Sequence, residues 1–133
     1  MKIALSAFLA TVFLLSLSEN LAAAPYNCQT ELRKLVVPAL EPSPMPKDKM
    51  QVELVDMSDG NGNPANGVYS AQITAAADSP DNLDGKVAIG WVNLDTRHMK
   101  IFDISRDEDH PQALHVNNKM YANFVRRCLE RGK

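Results

Sequence analysis

Two cysteines, Cys28 and Cys128, stand a hundred positions apart in a chain of 133 residues. If they pair, the first and last segments of the domain are neighbours in space, whatever lies between. Pairing depends on the compartment, and the N-terminus speaks to that. Lys2 provides a short positive region. Residues 3–17, "IALSAFLATVFLLSL", are almost entirely apolar, and small residues follow in "LAAAP". This is the pattern of a secretory signal peptide, too short and wrongly flanked for a spanning helix. Cleavage is expected after Ala23 or Ala24, so residues 1–24 are read as signal peptide and 25–133 as one domain. "PYNC" is a poor lipidation site, so no membrane anchor is expected. Two cysteines in an exported chain ordinarily pair. Their spacing is unlike a redox C-x-x-C motif.

Hydrophobic periodicity fills in the domain. "NCQTELRKLVVPAL" places Cys28, Leu32 and Leu35 or Val36 on one helical face, and Pro38 ends it. Four prolines at 38, 42, 44 and 46 then predict a stiff, extended connector over 38–46. Four strands are expected next. "MQVELVDM" alternates, with Met50, Val52 and Leu54 facing one way. "VYSAQITAA" turns Tyr69, Ala71, Ile73 and Ala75 inward. "KVAIGWVNLD" is apolar on both faces and is expected to be central, with Trp91 in the core and Gly90 permitting close packing. "HMKIFDIS" follows a tight turn. "NNKMYANFVRRCLERGK" closes the chain as a helix capped by Asn117 or Asn118. Met120, Tyr121, Phe124, Val125, Cys128 and Leu129 form its apolar stripe. The expected fold is α+β: a small four-stranded antiparallel meander, with N- and C-terminal helices packed on one face and tied by the Cys28–Cys128 disulfide.

Charge is unevenly placed. The net charge is only −2, yet no basic residue lies between Lys49 and Lys86. That stretch holds Glu53, Asp56, Asp59, Asp78, Asp81 and Asp84. From 119 to 133 the balance is basic. A one-sign segment steers an oppositely charged partner. The chain is neither basic nor aromatic enough to suggest nucleic acid.

Two stretches invite a metal reading. In "SDGNGNPANG", Asp59, Asn61 and Asn63 are spaced like the first half of an EF-hand loop. The sixth and twelfth positions of such a loop must be Gly and Glu, and here they are Pro64 and Ser70. A glycine- and asparagine-driven hairpin turn explains the stretch better. In "RDEDHPQALH", Asp107, Asp109, His110 and His115 are of ligand type, but no pair has a spacing known for a metal site. No G-x-S-x-G setting surrounds a serine, and no glycine loop precedes a helix to cradle phosphate. Carboxylates are too many for any pair to stand out as glycosidase-like. No catalytic set or cofactor is expected.

In plan, the chain resembles small periplasmic inhibitor and immunity proteins of bacteria. It shares a signal peptide, about 110 mature residues, an end-to-end disulfide and a small sheet with flanking helices. The resemblance implies a non-catalytic binding protein acting on another exported protein with a basic surface, such as a cell-envelope hydrolase or toxin. Expected contact residues are Asp56, Asp59, Asn61 and Asn63 in one loop, Asp78, Asp81 and Asp84 in another, and Arg97 and His98 at an exposed hairpin tip. The alternative is a small-ligand or metal binder using 58–67 or 107–115.

Overall fold

The computed structural model describes residues 25–55, 65–77 and 84–130. The signal-peptide expectation therefore lies outside the described residues. Helix α1 runs Cys28–Val36. Asn27 caps it, its side-chain oxygen accepting from the Thr30 N–H at 3.0 Å. Leu32, Leu35 and Val36 are buried. A single 3₁₀ turn, Val37–Ala39, carries Pro38 and ends the helical path. The connector is less straight than its prolines predict. Lys47 Nζ reaches back to the Leu40 and Pro38 carbonyls at 2.7 and 3.3 Å. Arg33 fastens this fold-back to the helix, donating to the Met50 and Lys47 carbonyls at 2.7 and 2.9 Å.

The strands are β1 (Met50–Val55), β2 (Val68–Ala76), β3 (Lys86–Asp95), β4 (Lys100–Asp103) and β5 (Gln112–Leu114). They form one antiparallel sheet in the order β1-β2-β3-β4-β5. The meander expectation holds, but among the described residues the sheet has five strands rather than four. The fifth spans three residues directly after Pro111, too short to display a period-2 pattern.

Strand alternation sorts the side chains. Met50, Val52, Ala71, Ile73, Val92, Leu94, Ile101 and Leu114 are all buried and fall on one face by register. They form one cluster with Leu32, Leu35 and Val36 of α1 and with Tyr121, Phe124 and Val125 at the C-terminal end. The last helix, α2 (Asn118–Phe124), is capped by Asn117 and continues as a π-helical turn over Val125–Leu129. Tyr121 is fully buried, and its hydroxyl donates to the Lys100 carbonyl at 3.2 Å. Met120 departs from the expected stripe and is 37% exposed.

The disulfide forms between Cys28 and Cys128, with their Cα atoms 5.8 Å apart. It joins the first turn of α1 to the π-helical turn. In the chain-entropy picture a bridge closing a loop of 100 residues contributes about 4–5 kcal/mol. A domain of this size has only about 5–15 kcal/mol of net stability, so the staple is a large part of what keeps the helices on the sheet.

Candidate binding surfaces

The topology separates the points from which the two acidic connections leave the sheet. In a meander, successive hairpins lie at alternate ends of the sheet. The chain leaves β1 at Val55 and rejoins at Ala65–Gly67, beside the β3–β4 tip, where Gly67 O accepts from Thr96 N and Oγ1 at 3.0 and 2.8 Å. It leaves β2 at Ala76 and rejoins at Asp84, at the opposite end. The two acidic connections therefore do not start from one shared face. The continuous run in sequence is divided by the topology. Asp56, Asp59, Asn61, Asn63, Asp78 and Asp81 themselves lie outside the described residues; Asp84 is exposed.

Arg97 and His98 are exposed at the β3–β4 tip, as expected. Asp95 organises this tip. Its Oδ1 accepts from the Arg97 and His98 N–H groups at 3.0 Å each, and its Oδ2 pairs with His98 Nδ1 at 2.9 Å. The His98 N–H bond, with the imidazole contact, holds the Asp95 carboxyl below the usual aspartate range. Met99 completes the turn with φ of 53°. Of the 107–115 stretch, residues 107–110 form a local turn, 112–114 are strand β5, and His115 is exposed just beyond the strand. Asp107 pairs with His110 Nδ1 at 2.7 Å and accepts from the Asp109 N–H at 3.0 Å. Among the described residues, no three His, Cys, Asp or Glu side chains come together as a metal requires.

Trp91 corrects the sequence reading. It is expected in the core but is 36% exposed. The face opposite the helices carries Trp91 and Asn93 on β3, Ser70 and Gln72 on β2, Glu53 on β1, and Phe102 on β4. No helix of the described residues packs there. Ser70 Oγ and Asn93 Oδ1 are 3.0 Å apart across β2 and β3. Lys86 and Glu53 pair at 2.6 Å from β3 to β1, spanning β2, where Thr74 lies midway by register. Thr74 is 3% exposed and its Oγ1 has no hydrogen-bond partner among the described residues. The signal for this face was in the sequence: Trp91 shares its parity with polar Asn93 and Asp95, not with Val92 and Leu94.

Charge follows the same division. The segment 50–109, which supplies β1 to β4, holds eleven carboxylates against four Lys and Arg. The segments 25–49 and 110–133, which supply both helices, hold four against nine. Along the sequence, the part that supplies β1 to β4 is thus acidic, and the parts that supply the helices and β5 are basic.

A second feature was not legible in the sequence. On the helix side, an open cleft of about 210 Å³ lies between the connector and the sheet. Leu40, Met50, Ile73 and Ile89 give it an apolar floor, and Glu41, Asp103 and Arg106 a charged rim. Glu41 is held by Arg106 at 3.3 Å and by Gln112 Nε2 at 2.6 Å. A bulge in β3 between the Ile73 and Thr74 pairings turns Ile89 toward the cleft.

A smaller feature sits at the disulfide. The Arg127 guanidinium lies 4.8 Å from the centre of the Tyr26 ring, a cation–π contact. Burial, aided by the negative charge of Glu31, pushes the Tyr26 hydroxyl above the ordinary tyrosine value.

No family model matches the chain, and neither a curated protein nor a solved structure is significantly similar to it. No helix of the described residues is long and apolar enough to cross a membrane.

Proposed function

We propose that this is an exported, non-catalytic binding protein whose sheet side engages a basic surface on another exported protein, in the manner of an inhibitor or immunity protein. The observation that carries the reading is Trp91. A tryptophan 36% exposed on a sheet face, within the acidic part of the chain, is the type of anchor that dominates protein–protein contacts. Gln72 and Asn93 beside it offer amide groups for a polar rim, and the excess of carboxylates in the segment 50–109 favours a cationic partner and speeds its approach. The signal-peptide pattern and the Cys28–Cys128 disulfide support action outside the reducing cytosol.

The test is affinity capture with the immobilised mature protein from an exported fraction of the source cells. The expected result is a protein of high isoelectric point, retained at low ionic strength, released as salt rises, and not captured by Trp91→Ala. Retention of no basic protein, or equal capture by Trp91→Ala, would overturn the reading. Salt release alone reports charge; the tryptophan variant reports the face.

A further inference from the structure

The outer edge of β3 is unpaired over part of its length. The strand pairs with β2 throughout, from Lys86 to Asp95, but with β4 only from Val92 to Asp95. At Trp91 the outward backbone groups are already used: the N–H donates to Ser105 Oγ at 2.9 Å, and the carbonyl accepts from the Ile104 N–H at 3.0 Å. Residues of an antiparallel strand direct their backbone groups alternately to one neighbour and the other. Trp91 therefore turns away from β2 and Gly90 toward it. The bulge removes Ile89 from the count, so Ala88, opposite Thr74, is the next to turn outward. Among the described residues nothing pairs with the outward N–H and carbonyl of Ala88.

The exposed side chains mark the same place. Val87, Ile89 and Trp91 are 40%, 38% and 36% exposed, three large apolar groups in one short run of strand. Such an edge recruits an extended segment of another chain. The cleft lies alongside, since Ile89 and Ser105 both line it. Its charge is not balanced. Glu41 is engaged by Arg106 and Gln112. Asp103, which lines the cleft, accepts from the Ser105 N–H at 2.8 Å through Oδ1, and among the described residues no cation pairs with it.

We propose that the Ala88 edge and the adjoining cleft form one docking site for an extended segment of a protein partner, which adds to β3 as a strand and places a lysine or arginine side chain in the cleft against Asp103. The stem of such a side chain suits the apolar floor of Ile73 and Ile89, and its head suits the carboxylate. A second copy of this chain is the poorer occupant. Pairing two copies at Ala88 would bring two acidic sheet segments together, and like charges oppose that. The proposal rests on the reading of the protein as a binder of basic partners, and adds where the partner's backbone goes.

The probe is a blocked synthetic peptide alternating valine and threonine, with one central lysine, titrated into the isotopically labelled mature protein. Backbone amide resonances are followed by NMR. The expected result is a shift and slowed hydrogen exchange at the Ala88 N–H, with shifts at Ile89, Asp103 and Ser105. The same peptide with glutamate for lysine is expected to give none of these. Asp103→Asn is expected to weaken the lysine peptide about tenfold, the scale of one lost charge-assisted hydrogen bond. Ala88→Pro, a proline whose ring faces outward from a strand edge, is expected to abolish pairing while leaving β2–β3 intact. If Ala88→Pro fails to fold, Asp103→Asn still decides. Equal binding of the glutamate peptide, shifts elsewhere only, or protection of Ala88 that grows with protein concentration without peptide would each overturn the proposal. The two readings fail separately. A captured basic protein that binds Ala88→Pro and Asp103→Asn as tightly as the parent, yet loses Trp91→Ala, refutes this site and leaves the function standing. If no basic protein binds at all, the function reading itself has failed.

Discussion

Ser105 occupies the space that any side chain at residue 90 would need. A Cβ on Gly90 would overlap Ser105 Oγ, which accepts from the Trp91 N–H. Glycine was expected at this point of β3 to let an aromatic ring or a helix approach. The structure instead gives the space to a serine that follows β4 and ties its end to β3. Gly90→Ala is predicted to destabilise by about 1–3 kcal/mol, the usual range for overpacking. Chemical denaturation measures this. Pairing it with Ser105→Ala should recover part of the loss, a non-additivity expected of groups in direct contact. A fully additive double variant would show that the two residues do not meet.

Removing the staple should cost more than any single surface change. Cys28→Ser with Cys128→Ser is predicted to lower unfolding stability by about 2–5 kcal/mol. The loss should appear first as faster amide exchange over Val125–Leu129, the π-helical turn that carries Cys128. Unchanged exchange there would contradict the role given to the bridge.

The β3–β4 tip should be acid-sensitive through Asp95. Its carboxyl titrates below the usual aspartate range because the His98 N–H bond, then the imidazole, favours the charged form. A group with a depressed folded value stabilises fully above its unfolded value, about 4, and loses that contribution as pH falls through the lower folded one. NMR titration should place the Asp95 midpoint below the ordinary aspartate value, about 4. Asp95→Asn should remove this part of the acid dependence. An Asp95 midpoint at or above that ordinary value would contradict the geometry.

Thr74 presents the opposite case, a buried hydroxyl with no partner among the described residues. Burying an unsatisfied hydroxyl carries a desolvation cost of about 1–3 kcal/mol, and a strand interior favours valine. Thr74→Val is predicted to leave stability unchanged or to raise it by about 1 kcal/mol. Thermal and chemical unfolding would check this, and a clear loss would show that the hydroxyl is in fact satisfied.

Much of the fold was legible because it rests on periodicity. Met50 and Val52, Ala71 and Ile73, and Leu32 with Val36 announce their faces by spacing alone, and all six are buried. Pairing of Cys28 with Cys128 followed from compartment and count. β5 was not legible, because three residues after a proline carry no period. Trp91 was misplaced by weighing its size rather than its parity with Asn93 and Asp95. The cleft could not be read at all. Leu40, Ile73, Ile89 and Asp103 come from four separate segments, and only the fold-back of the connector and the β3 bulge bring them together. The ends from which the two acidic connections leave the sheet follow from the meander order, which contiguity in sequence does not display.

The face that carries Trp91, with the adjoining β3 edge and cleft, is proposed to meet a basic partner, and the outer surfaces of α1 and α2 are not. Hydrogen exchange of the mature protein with and without its captured partner tests this most directly. Slowed exchange is expected over β3 and β4, centred on Trp91 and Phe102, with α1 and α2 unchanged. Protection confined to α1 and α2, with β3 and β4 exchanging as in the free protein, would contradict it.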